Sequence, residues 1–537
     1  MTAAVPTVSG SPIGERRYAE IRAALLARRE IALLDVREED PYAQEHPLFA
    51  VNLPLSRLEL EAWDRLPRRD VEIVVYDDGE QWASVAARRL RALGYSNVHL
   101  LAGGLQGWRD AGGELFRDVN VPSKAFGELV EAERHTPSLS AAEVQALLDA
   151  NGDVVVVDVR RFDEYRTMNI PGSTSVPGGE LVYRIADLVT NPRTKIIVNC
   201  AGRTRSIIGT QSLVNAGIPN PVAALRNGTI GWTLARQSLE HGAQRRFGEV
   251  SAPAARDAAR RARAIADRAG VLRVDAHTVD VWLQAGDRTL YCCDVRTPEE
   301  FARGHLQGFR STPGGQLVQE TDHTAAVRGA RLVLVDDDGV RANMTASWLA
   351  QMNWEVYVLD GVPADAFTAR GEFVPSRPEP PPTELVSTEE LAQWLHDDPQ
   401  TVVVDLASHA VHRKAHLPGA RFAIRARLAE DLAAAPIARR YVLTSPDGLL
   451  ARFAAPELQA FVNIPVLALA GGTETWRAAG RPLSDVATAP LSPLIDRYRR
   501  PYEGTDNAES AMQAYLDWEF GLVAQLARDG THGFFVV

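Results

Sequence analysis

The chain has 537 residues, 24% of them charged, and a formal net charge of −11 at pH 7. A single hydrophobic core does not grow to this length, so roughly three to five domains are expected. The acidic balance excludes a domain-wide basic surface of the kind that binds nucleic acid. No run of about 18 apolar residues occurs, and residues 1–10 lack the features of a signal peptide, so a cytoplasmic protein without membrane contact is predicted. Three cysteines cannot form a disulfide framework, which fits a reducing compartment.

An apolar strand that ends in aspartate recurs four times along the chain. Each aspartate is followed, roughly 70 residues later, by a turn and an aromatic residue. Four copies of one structural unit explain this spacing. The aspartates and their aromatic partners are Asp35 with Trp108, Asp158 with Trp232, Asp294 with Phe367, and Asp405 with Trp476.

Within each unit, short apolar strands alternate with helical patterns such as residues 83–93. This alternation predicts an α/β fold in which each unit is a small doubly wound parallel sheet with helices on both faces. Residues 256–267 are predicted to form a connecting helix. The tail is predicted to be helical and to contact either a domain of its own chain or a partner subunit. The second arrangement would make the protein a homo-oligomer. The predicted domains are residues 1–120, 125–250, 270–375 and 383–490, followed by the tail, 491–537.

Cys200 lies between a β-branched run, residues 196–198, and a predicted helix, residues 206–214. A strand-to-helix turn directs free backbone N–H groups at one point, where they hold an anion and lower the pKa of a thiol. Arg203 and Arg205 in the same turn would attract an anionic substrate. The sequence therefore predicts a thiolate nucleophile at Cys200.

These motifs resemble the rhodanese sulfurtransferase family, in the form with four tandem rhodanese domains. In unit two, the first motif of the family is matched by residues 158–173, the active-site loop by residues 200–205 and the closing motif by residues 225–232. Unit three matches the first motif more fully, at residues 294–308. The resemblance extends over most of the chain, from about residue 20 to about residue 485.

The resemblance implies transfer of a sulfane sulfur from thiosulfate, or a related persulfide donor, through a Cys200 persulfide to a thiol or to cyanide. The expected partners are this small-molecule donor and the acceptor, and neither a cofactor nor a metal is expected. Loop N–H groups and the helix dipole replace a histidine base in this chemistry. The expected substrate-binding residues are Ala201, Gly202, Arg203, Thr204, Arg205 and Ser206, with Glu180 and Arg184 lining the pocket.

Two alternatives stay open at this point. Phosphatases and arsenate reductases of the same fold use a Cys-x5-Arg loop, whereas the loop from Cys200 to Arg205 is Cys-x4-Arg and favours sulfur transfer. The second alternative is a non-catalytic assembly protein that carries a persulfide to a bound partner.

The other three units offer no cysteine at the equivalent position. Unit one has Asp77, unit three has Asp336 or Asp337, and unit four has a residue within 445–447. A carboxylate cannot form a persulfide and would repel an anionic donor. These units are predicted to be non-catalytic.

Two further groups of residues could be taken for functional sites, but the sequence favours a structural role for each. Cys292 and Cys293 are adjacent on a predicted strand, where neighbouring side chains point to opposite faces, so both are predicted to be core residues. His409, His412 and His416 lack a cysteine or carboxylate that would complete a metal site, so they are predicted not to bind metal.

Overall fold

The computed structural model describes residues 12–432 and 438–537. These residues form four sheets of five parallel strands each, and every sheet has the same strand order, 1-5-4-2-3 counted along its own unit. The predicted fold of four α/β repeats is thereby confirmed. The signal-peptide question concerns residues 1–10, which lie outside the described residues, and the domain boundaries stay predictions.

The first two units share one pattern of alternating strands and helices. Unit one contains β1 (Gly14–Arg16), α1 (Tyr18–Leu26), β2 (Ala32–Asp35), α2 (Glu39–Gln44), β3 (Ala50–Asn52), α3 (Leu58–Arg65), β4 (Ile73–Tyr76), α4 (Trp82–Ala92), β5 (Val98–Leu101) and α5 (Gly104–Asp110). Unit two follows with α6 (Val121–Arg134), β6 (Ser138–Leu139), α7 (Ala141–Asp149), β7 (Val154–Asp158), α8 (Phe162–Thr167), β8 (Thr174–Ser175), α9 (Leu181–Leu188), β9 (Lys195–Asn199), α10 (Thr204–Asn215), β10 (Val222–Leu225) and α11 (Gly228–Leu234).

The last two units repeat the pattern, and the tail adds two helices. Unit three contains α12 (Ala252–Arg268), β11 (Leu272–Val274), α13 (Ala276–Ala285), β12 (Leu290–Asp294), α14 (Pro298–Arg303), β13 (Arg310–Ser311), α15 (Gly314–Gln319), α16 (Thr321–Thr324), β14 (Arg331–Val335), α17 (Arg341–Gln351) and β15 (Glu355–Leu359). Unit four contains β16 (Leu385–Val386), α18 (Thr388–Asp397), β17 (Thr401–Asp405), α19 (His409–Lys414), β18 (Arg421–Phe422), α20 (Leu428–Asp431), β19 (Arg440–Thr444), α21 (Leu449–Gln459), β20 (Val466–Leu469) and α22 (Gly472–Ala478), and the tail contains α23 (Glu509–Phe520) and α24 (Leu522–Asp529).

The central strands of unit two are apolar on both faces because helices cover both sides of the sheet. Val157 and Val198 enter the core on one face, and Val156 and Ile197 enter the core on the other. β9 lies between β7 and β10 in this sheet. The residue that follows β9 is therefore held at the carboxyl edge of the sheet, where open α/β sheets bind ligands.

The C-terminal tail packs onto its own chain, which is one of the two predicted arrangements. The amide of Gln525 donates to the Leu115 carbonyl (2.8 Å), and the Phe535 N–H donates to the Gln351 carbonyl (3.0 Å). The predicted helix is interrupted at Gly521, between α23 and α24. The connecting helix is also confirmed, as α12.

Candidate active site

Cys200 directly follows β9, and α10 begins at Thr204, so the loop between them has the predicted strand-to-helix geometry. The closing motif of unit two, residues 225–232, holds this loop from the other side. Backbone N–H groups of Thr229 and Ile230 donate to the carbonyls of Cys200 (2.8 Å) and Ala201 (3.0 Å). Gly228 has φ +53°, and a Cβ there would lie 2.4 Å from the Cys200 carbonyl oxygen. A glycine is therefore required at this point of the closing motif.

The Cys200 thiol is only 1% exposed. Its Sγ donates to Oγ of Ser206 (3.3 Å), and that hydroxyl donates to the Arg203 carbonyl (2.8 Å). Burial raises the pKa of the Cys200 thiol above its ordinary value, whereas the Arg205 charge and hydrogen bonding with Ser206 lower it by less. The expectation of a low thiol pKa is wrong for this closed arrangement, because the loop removes the sulfur from water.

Arg205 lies close enough to Cys200 to favour the thiolate. Its guanidinium donates to both carboxylate oxygens of Glu164 in α8, at 2.8 and 2.9 Å. Burial alone would raise the pKa of the Glu164 carboxyl, but the Arg205 charge, helped by Arg160 and Arg161, outweighs burial and holds the pKa at about 2. An anionic donor would therefore meet an arginine that is already paired.

Glu164 lies within the first motif of unit two, residues 158–173, and was not among the predicted site residues. A usable signal exists in unit three, where Glu300 follows Asp294 at the spacing that separates Glu164 from Asp158. Glu300 likewise binds an arginine at the start of a helix, since Arg341 donates to it at 2.5 Å. The same arginine–glutamate pair thus stands in both units.

Arg203 points its guanidinium at α6. It donates to both carboxylate oxygens of Glu128 (2.7 and 2.8 Å), to Glu131 and to the Asn227 side chain (3.1 Å). The Phe520 ring stacks against its other side, 4.2 Å from the guanidinium carbon. Its role as a donor ligand stays a prediction, and these contacts favour a second role as the anchor of the loop.

Replacing Arg203 by alanine is expected to destabilise the protein by about 3–5 kcal/mol, because it leaves the Glu128 carboxylate buried without its partner. The measurement is the denaturant midpoint of unfolding. Arg236→Ala is the matched control, since it removes an exposed ion pair to Glu509 that is worth at most about 1 kcal/mol. Equal midpoints for the two variants would contradict the anchoring role.

Glu180 and Arg184 lie at the boundary between units two and three. Glu180 accepts hydrogen bonds from Arg184 (2.8 Å) and from Arg341 of α17 (3.0 Å). With Arg205, Glu180 lines a cavity of about 320 Å³ between the two units, and neither Arg184 nor Cys200 belongs to that lining. The structure therefore places Glu180 and Arg184 at the inter-unit boundary, and their substrate-binding role stays a prediction.

Strand register identifies the residues equivalent to Cys200. Tyr76, Asn199, Val335 and Thr444 pair with the four motif aspartates, so the next residues along the chain are equivalent. These four equivalent residues are Asp77, Cys200, Asp336 and Ser445.

Two of these residues, Asp77 and Asp336, accept hydrogen bonds from the backbone N–H groups of their own loops. The Asp77 carboxylate accepts from the N–H groups of Gly79 (3.1 Å) and Ala83 (2.8 Å). Asp336 accepts in the same way from Gly339 (3.0 Å) and from the first turn of α17 (2.8 Å). The loop N–H groups at the positions equivalent to Cys200 are thus already bound to a carboxyl group in units one and three.

The other two cysteines and His412 make structural contacts. Cys292 and Cys293 are both buried and enter two different cores, and burial raises the pKa of Cys292 to about 12. His412 donates through Nδ1 to Asp405 at 2.8 Å. Across residues 12–432 and 438–537, no group of metal-binding side chains is present and no helix is long and apolar enough to span a membrane.

Comparison with known proteins places these motifs in a family. A thiosulfate sulfurtransferase from Pseudomonas aeruginosa, known as a crystal structure, is 66% identical, with a TM-score of 0.97, and the match covers 98% of this chain and all of that one. The SseB protein of Mycobacterium tuberculosis is 30% identical over 125 residues, 21% of this chain and 43% of that relative. The thiosulfate sulfurtransferase GlpE of Coxiella burnetii is 29% identical over 85 residues, 16% of this chain and 78% of GlpE.

The family model for the rhodanese-like domain matches three segments of the chain, residues 19–111, 140–235 and 276–361. The fourth sheet lies beyond these matches and has the strand order of the other three. Because the matches cover just over half of the chain, the protein belongs to the rhodanese-like family.

Proposed function

We propose that this protein is a thiosulfate sulfurtransferase in which Cys200 carries the sulfur. The observation that carries the proposal is the position of Cys200, the one cysteine among the four equivalent residues at the strand ends, where the Arg205 charge favours its thiolate. The Pseudomonas aeruginosa relative, described as a thiosulfate sulfurtransferase, supports the same activity.

The reaction has two displacement steps. The Cys200 thiolate attacks the sulfane sulfur of thiosulfate, the S–S bond breaks, and sulfite leaves with the bonding electron pair. A thiolate or cyanide then attacks the outer sulfur of the Cys200 persulfide, which releases a persulfide or thiocyanate and restores the Cys200 thiolate. Each step forms one bond to sulfur and breaks another, so the reaction needs no redox cofactor.

The Cys200 thiol is activated when the main cause of its raised pKa is removed. Burial is the main cause, and the Arg205 charge and the Ser206 hydrogen bonds act in the opposite direction. We infer that the loop opens to water and to the donor, so that the burial cost falls while the lowering influences remain. Arg205 can then turn from Glu164 towards the sulfonate oxygens of the donor.

The other three units serve as scaffold in this proposal. Asp77 and Asp336 place a carboxyl group where the nucleophile would stand, and Ser445 lacks the sulfur. Sulfur transfer is therefore assigned to unit two alone.

The test is an assay of the full chain with thiosulfate and cyanide, in which thiocyanate formation is measured. Continuous turnover supports the proposal. Persulfide formation without release to cyanide would favour the non-catalytic carrier, and hydrolysis of a phosphate ester or reduction of arsenate in place of thiocyanate formation would favour the phosphatase or arsenate reductase alternative.

A further inference from the structure

Helix α23 of the tail lies directly against the active-site loop. A Cβ at Gly202 would lie 3.1 Å from Cε1 of Tyr515 and 3.4 Å from Oε2 of Glu519. Tyr515 also packs, with Met512, against Ile230 of the closing turn. The tail thus forms a wall against the loop that carries Cys200, although it lies more than 300 residues further along the chain.

Glu519 brings an unpartnered polar atom to this wall. Its side chain is fully buried, and Oε1 accepts a hydrogen bond from the Tyr515 hydroxyl (2.8 Å). Oε2, the oxygen that faces Gly202, has no hydrogen-bond partner. A buried carboxyl oxygen without a partner is uncommon, and its position at a catalytic loop indicates a ligand that supplies one.

The surroundings of Glu519 favour its neutral form. Burial raises the pKa of the carboxyl to about 8, and the nearby Glu128 adds to the rise, whereas Lys124, Tyr515 and Arg203 oppose it. Lys124 is itself bound to Asp118 at 2.5 Å. Tyr502, in the segment before α23, packs edge-to-face against Tyr515, with the ring centroids 5.3 Å apart. Because Oε1 is already an acceptor, the proton belongs on Oε2, which is then a hydrogen-bond donor aimed at the loop.

We propose that Glu519 is a donor-binding residue of the Cys200 site, whose protonated Oε2 donates to a sulfonate oxygen of thiosulfate while Tyr515 holds the carboxyl in place. The inference rests on the proposed function and adds a specificity-determining residue to it. No proton is transferred: the hydrogen bond forms with the bound donor and is lost when sulfite leaves. A neutral donor binds the anion without adding negative charge beside the thiolate.

The inference predicts a pH dependence of donor binding. As the pH rises through about 8, the neutral carboxyl that binds the sulfonate loses its proton and becomes a carboxylate that repels a dianion. The concentration of thiosulfate that gives half the maximal rate of persulfide formation is therefore expected to rise above pH 8. Cys200 also faces Glu519 and ionises in alkaline solution, so the native profile is read against that of Glu519→Gln, in which, of the two groups, only Cys200 titrates.

The experiment is single-turnover persulfide formation by the full chain, followed by mass spectrometry across pH 6–10 at varied thiosulfate. Glu519→Ala is expected to raise the half-saturating concentration roughly 10-fold at pH 7, the scale of one hydrogen bond to a charged group. Glu519→Gln keeps an N–H donor, so it is expected to bind thiosulfate as the native protein does at pH 7. Its half-saturating thiosulfate concentration is not expected to rise above pH 8. Asp517→Asn, an exposed change on the same helix, is the matched control and is expected to alter nothing.

Two outcomes would overturn the inference while leaving the proposed function intact. One is a half-saturating thiosulfate concentration that stays within twofold of the native value for both Glu519 variants at every pH. The other is tighter binding by Glu519→Gln at pH 7, which would show a charged, repelling carboxylate. A native chain that forms no persulfide would overturn the proposed function and this inference together. If Glu519→Ala fails to fold, the pH profile of Glu519→Gln decides alone.

Discussion

Replacement of Cys200 by serine is expected to lower thiocyanate formation at least about 1,000-fold, because a serine hydroxyl cannot hold a sulfane sulfur. The chain should keep its unfolding midpoint, since serine is close in size to cysteine and can bond to Ser206 as the thiol does. Steady-state turnover with thiosulfate and cyanide is the measurement.

Cys292→Ala is the matched control for this loss. Cys292 is buried in the core of unit three, and its pKa of about 12 keeps it a thiol at neutral pH. Turnover by this variant should equal that of the native chain. A Cys200→Ser variant with measurable turnover would show that another residue carries the sulfur.

Replacing Arg205 by alanine is expected to lower kcat/KM for thiosulfate roughly 10- to 100-fold, the scale of one lost charge-assisted contact of about 1.5–3 kcal/mol. The change also leaves the Glu164 carboxylate without the partner that holds its pKa at about 2. Burial then raises the pKa of Glu164, and any negative charge that stays on it is no longer neutralised and opposes ionisation of the thiol. Steady-state kinetics with thiosulfate measures the sum of both effects.

The double variant Arg205→Ala with Glu164→Gln separates the two effects. If Arg205 binds the donor, the double variant stays impaired, because the guanidinium is still missing. If Arg205 only neutralises Glu164, removal of both charges restores kcat/KM to near the native value, and donor binding by Arg205 is contradicted.

Spacing alone was enough to predict the repeated fold. Parallel sheets buried on both faces require continuous apolar strands, and the four aspartates mark where those strands end. In units three and four, however, sequence could not decide which loop residue is equivalent to Cys200. That assignment depends on strand register, which pairs Val335 with Asp294 and Thr444 with Asp405.

The surroundings of Cys200 were harder to predict, since they come from distant parts of the chain. The position of the thiol in the loop was correct, but its burial depends on how the loop is packed and covered, which local sequence does not show. The partner of Arg203 is a glutamate on α6, 75 residues earlier, and sequence spacing gave no signal for that pair. Nor did it show that Glu519 of the tail meets Gly202.

The most direct test of single-site sulfur transfer is the intact mass of the full chain after treatment with thiosulfate and removal of excess reagent. The account predicts one added sulfur, about 32 Da per chain, that maps to the peptide with Cys200 and is absent from Cys200→Ser. An adduct on Cys292 or Cys293, or one that persists in the serine variant, would contradict it.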